Sequence, residues 1–343
     1  MKAQTLTKIH DLTKESNSVI LSEIPTPKPE ENEILIKVSV CGVCHTELDE
    51  IEGRTPPHKF PLVLGHEVVG KVVEIGIEVN KHKIGDRVGA GWIWSACGKC
   101  EFCLRGDENL CVDFKATGRD VNGGYAEYMT VPEKYAYKIP DIFSDSEAAP
   151  LLCAGGVGYR SLKLANLKDG DVLGLTGFGA SGHLVLEMAK HKYPKSRFFI
   201  FARNPKERKF AIELGADWAG NTTEITPELC NAIIDTTPVW KPVIAALNVL
   251  KPGGRLVINA IRKENSDIDE WKKIKYEEHL WQEKEIKSVA NVTAEDIEEC
   301  LQLAAKIPIK PEIKEYKLED ANKALMELKQ GNIRGAKVLN INL

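Results

Sequence analysis

The sequence predicts an α/β protein with two parts, an irregular all-β domain and a doubly wound parallel sheet. The first 150 residues carry short runs of Val and Ile interrupted by Gly and Pro, a pattern typical of short strands joined by turns. From residue 169 onward, strand-like and helix-like segments alternate, which is typical of a parallel sheet covered by helices. The two patterns therefore predict two domains of different architecture.

The individual elements follow from hydrophobic periodicity and from Gly and Pro punctuation. The predicted strands of the first part are Ile34–Val40, Val68–Ile75 and Arg87–Gly91. The alternating part is predicted to contain, in order, Val172–Thr176, a helix carrying Leu184, Val185, Met188 and Ala189, Arg197–Ala202, Pro205–Leu214, Ala232–Asp235, Val239–Leu250 and Arg255–Ala260. The remaining predictions are a solvated loop at the charged run Arg262–Lys275, helices at Ala294–Lys306 and Leu318–Lys329, and a strand at Lys337–Ile341.

Composition excludes several classes of partner. The chain has 343 residues, with 46 basic and 50 acidic side chains and a net charge of -4, so it offers no net positive charge for nucleic acid or an anionic membrane. The sequence contains no run of 18 apolar residues, so we expect no membrane-spanning helix. The first residues do not have the apolar segment typical of a signal peptide. Nine cysteines, an odd number, favour a reducing compartment. We therefore expect a cytoplasmic protein.

Four of these cysteines crowd into fifteen residues. Their spacing is Cys97-x2-Cys100-x2-Cys103-x7-Cys111, which allows four thiolates to reach one ion. Four sulfur ligands without water describe a structural zinc site. An iron–sulfur cluster and four loose thiols are the alternatives for the same spacing.

A second set of possible metal ligands is dispersed along the chain. Cys41 and Cys44 lie in one segment, His66 in a second and Cys153 in a third. A catalytic zinc takes three protein ligands and keeps a fourth position open, which Cys, His and Cys from these three segments would provide. The spacing does not tell which of Cys41 and Cys44 would be the zinc ligand. Taken singly, His66 and Cys153 are also consistent with ordinary buried residues.

A glycine-rich loop, Gly177-Phe-Gly179-Ala-Ser-Gly182, stands between a predicted strand and a predicted helix. In this context the glycines allow a dinucleotide pyrophosphate to approach the backbone at the helix N-terminus. A glycine turn without a ligand is the alternative. The next strand ends at Ala202-Arg203-Asn204, where no acidic residue is available for a ribose 2′-hydroxyl. Arg203 can instead bind a 2′-phosphate, which favours NADP over NAD, unless it is simply an exposed loop residue.

Together these motifs resemble the zinc-containing alcohol dehydrogenases of the medium-chain dehydrogenase/reductase superfamily over essentially the whole chain. The segment Gly65-His66-Glu67-x2-Gly70-x5-Gly76-x2-Val79 is similar to that family's zinc signature. The four-cysteine lobe also has the family's spacing. The resemblance implies a GroES-like catalytic domain formed by residues 1–153 and 289–343, with a Rossmann domain formed by residues 154–288 inserted between its two segments.

The resemblance also implies a specific set of metal ligands. It makes Cys44, His66 and Cys153 the ligands of a catalytic zinc, so that Cys41 is not a ligand. It makes Glu67 an acid that can approach the metal when water exchanges. A second zinc is then held by the four-cysteine lobe, giving two zinc ions per chain.

Neighbouring residues receive roles by the same resemblance. Glu47 corresponds to a carboxylate that orients a ligating histidine, Thr46 to the hydroxyl that contacts the bound alcohol, and His45 to a residue near the cofactor phosphates. Asp49 takes the place of a histidine that ends the proton relay in many relatives. The family's pyrophosphate-binding arginine corresponds in position to Ala336, with Arg334 and Lys337 close by.

The implied reaction is reversible hydride transfer between NAD(P) and a primary or secondary alcohol or aldehyde, aliphatic or aromatic, through a zinc-bound alkoxide. Trp92 and Trp94 either line an apolar substrate pocket or pack in the core. A homodimer or homotetramer is expected by resemblance. The alternatives are a polyol or sugar dehydrogenase of the same superfamily and a non-catalytic dinucleotide-binding protein, and the presence of all the implied zinc ligands counts against both.

Overall fold

A computed structural model describes residues 1–331 and 335–343. The chain forms two compact units, one made of residues 1–156 and 292–343 and the other of residues 157–291. No helix in these described ranges is long and apolar enough to cross a membrane.

The first unit is dominated by short strands, as the punctuated Val and Ile runs predict. Its strands before the second unit are β1 (Lys2–Leu6), β2 (Val19–Glu23), β3 (Glu33–Val43), β4 (Leu62–Val63), β5 (Val68–Ile75), β6 (Arg87–Ala90), β7 (Ile93–Ser95), β8 (Lys115–Ala116), β9 (Tyr128–Pro132) and β10 (Ala136–Lys138). The helices over the same stretch are short, namely α1 (His45–Ile51), α2 (Glu101–Leu104) and α3 (Asp145–Ala148). A longer helix, α4 (Ala154–Ala165), follows them.

The second unit alternates strands and helices. Its strands are β11 (Val172–Thr176), β12 (Arg197–Phe201), β13 (Trp218–Gly220), β14 (Cys230–Asp235), β15 (Leu250–Ile258) and β16 (Glu285–Ser288). Its helices are α5 (Ala180–Lys192), α6 (Pro205–Glu213), α7 (Lys241–Asn248) and α8 (Tyr276–His279). The strands pair in parallel in the order β13-β12-β11-β14-β15-β16. The chain therefore winds outward in both directions from the central pair β11 and β14, which is the doubly wound topology predicted from the sequence.

The last residues return to the first unit. They form α9 (Ala294–Lys306), β17 (Ile313–Lys317), α10 (Ala321–Lys329) and β18 (Ala336–Asn340). β18 pairs antiparallel with β3, placing Val338 opposite Gly42, and the sheet runs β10-β6-β5-β3-β18-β17. The strand that leads into Cys44 is thus paired with the C-terminal strand on one side and with β5 on the other.

Most predicted elements are confirmed, and three of them, β5, β11 and α9, have the predicted bounds. The prediction of a solvated loop at Arg262–Lys275 was wrong in two places, because Ile268–Lys273 forms a 3-10 helix and the Lys263 side chain is only 7% exposed. The segment Lys251–Gly254, expected to precede a strand, is part of β15. In both segments the secondary structure is set by strand pairing and by buried partners far away in the sequence, which outweigh the local preference for a turn or loop.

Candidate metal centres and dinucleotide site

Four of the predicted site residues converge within the first unit. One atom each of Cys44, His66, Glu67 and Cys153 lies within 4.8 Å of the others, and the two thiol sulfurs are 3.9 Å apart. Sulfurs bound to one tetrahedral zinc, at Zn–S distances of about 2.3 Å, would be separated by about 3.7 Å. The spacing of the donors therefore fits a zinc ion.

His66 supplies the second observation that fits a metal. The residue is fully buried, and its Nδ1 lies 2.6 Å from Glu47 Oε1. The other polar neighbour of the ring is the Cys44 thiol, itself a candidate ligand, and Nε2 makes no hydrogen bond of normal geometry within the described part of the chain. A buried ring nitrogen without a partner is costly unless it binds a metal. The contact of Nδ1 with a carboxylate is the usual support of a ligating histidine.

The Glu47 carboxylate supports two of the candidate ligands at once. Cys44 is the N-cap of α1, and its backbone N–H donates to Glu47 Oε2 at 2.7 Å. The other oxygen of the same carboxylate faces His66. Glu47 is fully buried, so these contacts are not weakened by competition with water. The third residue of α1 thus fixes both the start of the helix and the orientation of a histidine from another segment.

Two glycines provide room around the cluster. A Cβ on Gly42 would lie 1.9 Å from Glu67 Oε2. Gly65 has a φ of +96°, and a Cβ there would lie 2.4 Å from the Tyr125 ring. Burial raises the pKa of Glu67 well above the usual range of a carboxyl group, and the nearby Cys44 adds to this effect. Glu67 fits inside the site because position 42 has no side chain, since a Cβ there would overlap its carboxylate.

The remaining predicted residues of this segment have different surroundings. The Cys41 thiol is buried in the hydrophobic core and is not part of the donor cluster. Thr46 is buried, with its Oγ1 3.6 Å from Cys44 Sγ, whereas His45 is exposed at the start of α1. Asp49 is buried and accepts a 2.6 Å hydrogen bond from Arg54 Nε. Its part in a proton relay stays a prediction.

Trp92 is buried beside the cluster. Its ring centroid lies 5.7 Å from that of His66, and the Arg119 guanidinium lies 5.5 Å from it. Its indole Nε1 is buried and has no hydrogen-bond partner among the described residues. Trp94 is half-buried and donates through Nε1 to the carbonyl of Thr130 at 3.4 Å. Of the two tryptophans, Trp92 is the one placed next to the donor cluster.

The four cysteines of the lobe also converge. One sulfur from each of Cys97, Cys100, Cys103 and Cys111 lies within 4.8 Å of the others, and the sulfurs of Cys97 and Cys103 are 3.9 Å apart. Backbone N–H groups of Lys99 and Cys100 donate to the Cys97 sulfur and lower the pKa of its thiol to about 6. Metal ions bind the thiolate form, so this backbone arrangement fits a sulfur-ligated metal.

The glycine-rich loop of the second unit has the three properties expected of a dinucleotide-binding turn. Gly177 has a φ of +79°, which allows the tight turn after β11. A Cβ on Gly179 would meet nothing within 4 Å, so the backbone there is open to a ligand. A Cβ on Gly182 would lie 2.9 Å from the carbonyl oxygen of Gly177. No described side chain caps the first N–H groups of α5, which leaves them available for phosphate oxygens.

Arg203 is exposed directly after β12, and its guanidinium takes part in none of the hydrogen bonds or ion pairs seen within the described ranges. The next residue, Asn204, is occupied as the N-cap of α6 and accepts the Lys206 N–H at 2.9 Å. Arg203 is therefore the residue at this strand end that can reach a ligand phosphate.

The C-terminal positions named by the resemblance are not equivalent. Arg334 lies outside the described residues. The Lys337 side chain is 1% exposed, and its Nζ donates to Tyr316 Oη at 2.9 Å and lies 3.1 Å from Glu327 Oε2. Lys337 thus has internal partners and is not aimed at a ligand.

One buried charged residue near the glycine-rich loop, Lys263, was not predicted from the sequence. The Lys263 ammonium is ion-paired with Asp235, which is fully buried at the end of β14. Lys263 lies in the charged run that was expected to be solvated, so composition gave no signal for its burial. The acidic residue at the end of a predicted buried strand was the one available hint.

Residues 30–141 match the family model of the alcohol dehydrogenase GroES-like domain, and residues 213–339 match that of the zinc-binding dehydrogenases. The chain is 41% identical over 320 residues to the probable alcohol dehydrogenase AdhA of Mycobacterium tuberculosis, covering 92% of this chain and 90% of that protein. It is 36% identical over 330 residues to an alcohol dehydrogenase of Geobacillus stearothermophilus, covering 94% and 95%.

Solved structures agree on the fold. A crystal structure of CAD from Helicobacter pylori complexed with NADP(H) superposes with a TM-score of 0.84 at 22% identity, covering 99% of this chain and 98% of that one. The GroES-like and Rossmann-like architecture predicted from the sequence is therefore confirmed. By its full-length sequence similarity and its two matching domain families, the chain belongs to the zinc-containing alcohol dehydrogenases of the medium-chain dehydrogenase/reductase superfamily.

Proposed function

We propose that this alcohol dehydrogenase is zinc-dependent, prefers NADP to NAD, and acts on primary or secondary alcohols and aldehydes, aliphatic or aromatic. The observation that carries the proposal is the donor set of two half-buried thiols and one fully buried imidazole, in which His66 Nε2 has no other partner among the described residues. Three protein donors leave a tetrahedral metal one position for a substrate oxygen.

Cys44, His66 and Cys153 would hold the catalytic zinc, and the four-cysteine lobe would hold a structural one. When bound, zinc supplies Lewis acidity that lowers the pKa of a hydroxyl group, and NAD(P) supplies the hydride acceptor. Glu67, which lies in the same cluster, would be the acid able to approach the metal while a ligand exchanges. The protein's own contribution is to orient the donors, chiefly through Glu47, and to keep the site dry.

Thr46 is the residue proposed to handle the substrate proton. Its hydroxyl is buried 3.6 Å from the Cys44 sulfur, so it stands beside the position where a metal would be bound. A hydroxyl both donates and accepts, and Thr46 can therefore take the proton of an alcohol while passing its own proton onward. Asp49, five residues after Cys44, is the proposed onward acceptor, with water as the alternative.

The preference for NADP is proposed from the end of β12. Arg203 is exposed there, and the strand end offers no carboxylate for a ribose 2′-hydroxyl. A guanidinium binds the 2′-phosphate of NADP through charge-assisted hydrogen bonds. NAD carries a neutral 2′-hydroxyl at the same place and cannot form them. Trp92, next to His66, supports an apolar substrate wall.

The test is an initial-rate assay of NADPH and NADH oxidation with short, long and aromatic aldehydes, combined with zinc analysis. The variant Cys44→Ser should lose turnover and one equivalent of zinc, yet keep cofactor binding. The matched control is Cys41→Ala, which removes a buried thiol three residues away and should keep zinc and most of the activity. Turnover unchanged in Cys44→Ser would refute the proposed catalytic site.

A further inference from the structure

A buried polar network lies at the centre of the parallel sheet in the second unit. β11 and β14 are neighbours there, and the strand order runs away from them in opposite directions. Ligands of such sheets bind beyond the carboxyl ends of the strands at this reversal. Thr176 is the last residue of β11 and Asp235 the last of β14. Both are buried, and the Thr176 hydroxyl donates to Asp235 Oδ1 at 2.5 Å.

Lys263 completes the network from a segment that follows β15. Its ammonium is ion-paired with Asp235 Oδ2, and it donates to the carbonyl oxygens of Thr237 at 2.6 Å and Val239 at 3.1 Å. Thr237 Oγ1 in turn donates to Asp235 Oδ1 at 2.8 Å. A buried ammonium with three acceptors is well satisfied, so it holds the loop after β14 in one conformation.

The loop held by Lys263 packs against the glycine-rich turn. Thr236 Oγ1 donates to the carbonyl of Thr176 at 3.0 Å, directly before the turn begins. A Cβ on Gly177 would lie 2.7 Å from Thr236 Oγ1 and 3.0 Å from a methyl carbon of Thr237. The first glycine of the turn is therefore seated on the two threonines that follow Asp235. A shift of this loop would displace Thr236 and Thr237, against which Gly177 packs.

We propose that Lys263 is a positioning residue for dinucleotide binding. It acts through the Thr237 and Val239 carbonyls and the Asp235 carboxylate, which fix the loop beneath the glycine-rich turn. The inference rests on the proposed function in that the ligand is NAD(P). Because the turn binds the pyrophosphate common to both dinucleotides, Lys263 affects NADH and NADPH equally. This separates its role from that of Arg203, which is assigned to the 2′-phosphate of NADPH alone.

The experiment compares Lys263→Met with a matched control in the same unit, Lys284→Met. Lys284 is a partly buried lysine whose Nζ also bonds two carbonyls, those of Leu247 and Glu278, each at 2.9 Å, but neither carbonyl belongs to the loop beneath Gly177. Dissociation constants for NADPH and NADH are measured by ligand fluorescence without substrate, and thermal unfolding is measured without cofactor. Lys263→Met should weaken both dinucleotides at least tenfold, whereas Lys284→Met should change them less than twofold.

A second variant removes the uncompensated charge that Lys263→Met leaves on Asp235. The double variant Lys263→Met with Asp235→Asn should regain thermal stability but keep the weak dinucleotide binding, because the two loop carbonyls still lack their donor. Wild-type affinity in Lys263→Met or in the double variant would overturn the proposal, as would equal weakening in Lys284→Met. Wild-type protein that binds neither dinucleotide would instead refute the proposed cofactor, and this inference with it.

Discussion

The Glu47 carboxylate contacts two of the proposed metal ligands, Cys44 and His66, and its replacement gives a quantitative test of their role. In Glu47→Gln the side chain keeps its shape but has a single acceptor oxygen. That oxygen can accept the Cys44 N–H or the His66 Nδ1–H, which now lie at 2.7 and 2.6 Å from separate oxygens. The other contact becomes an amide N–H facing an N–H. One of the two ligands therefore loses its support.

The magnitude follows from this loss of one buried, charge-assisted contact. Loss of such a partner of a ligating histidine weakens metal binding about 10- to 100-fold, which corresponds to about 1.4 to 2.8 kcal/mol. The assay is competition for zinc between the purified protein and a chromophoric chelator at pH 7. A fall in zinc affinity within this range is the expected result, with a parallel fall in turnover.

The matched control lies on the same helix. Glu50 is fully buried, its two carboxyl oxygens have no hydrogen-bond partner in the described structure, and burial raises its pKa well above the usual range. Glu50→Gln keeps the shape of a side chain that contacts neither the Cys44 N–H nor the His66 ring, and it should therefore change zinc affinity less than about threefold. Zinc affinity preserved in Glu47→Gln, or lowered equally in Glu50→Gln, would refute the reasoning.

Three further outcomes are expected. Arg203→Ala should raise the dissociation constant of NADPH about tenfold or more and that of NADH less than twofold, and equal changes would remove the 2′-phosphate assignment. Cys103→Ser should lower the zinc content from two equivalents to one while Cys44 keeps its metal, as atomic absorption would show; two remaining equivalents would contradict the lobe assignment. Partners of Glu327, first the Lys314 ammonium and then the Tyr316 hydroxyl, lower the pKa of its carboxyl to about 2. The depressed pKa stabilises the fold above the unfolded value near 4.5, and this stability is lost as pH falls toward 2. The Tm of wild type should therefore exceed that of Glu327→Gln at pH 7, and the difference should shrink below about pH 4.5. A difference in Tm that does not change with pH would contradict a stabilising interaction between Glu327 and Lys314.

The candidate site could be found from sequence where the chemistry of a residue type is restrictive. Clustered cysteines and a strand–glycine loop–helix pattern have few uses in proteins, and the structure brings the side chains of both predicted metal sites together. Spacing alone did not separate Cys41 from Cys44, because both sit at the end of one apolar run. The structure separates them since β3 ends at Val43, leaving Cys41 in the sheet core and Cys44 as the helix cap.

Long-range pairing explains what sequence reasoning could not supply. The run around Lys263 is highly charged, a local pattern typical of a solvated surface. The Lys263 side chain is nevertheless buried, because it pairs with Asp235, 28 residues earlier in the chain. No local sequence pattern indicates that contact. Helix α4 was missed for a related reason. It begins Ala154-Gly-Gly-Val-Gly, a composition with poor intrinsic helix propensity, which packing overrides.

The uncapped start of α5 has a consequence for how the protein survives in a cell. Most helices use a side chain to cap their first N–H groups, and a glycine at the N-cap position makes a helix less stable by roughly a few tenths of a kcal/mol. Here the residue at that position is Gly179, so the phosphates of a dinucleotide bound at the proposed site would act as the cap. A ligand that binds only the folded state stabilises it by about 2.7 kcal/mol at a hundredfold excess over its dissociation constant. The lifetime of this enzyme should therefore rise and fall with the supply of its own redox cofactor.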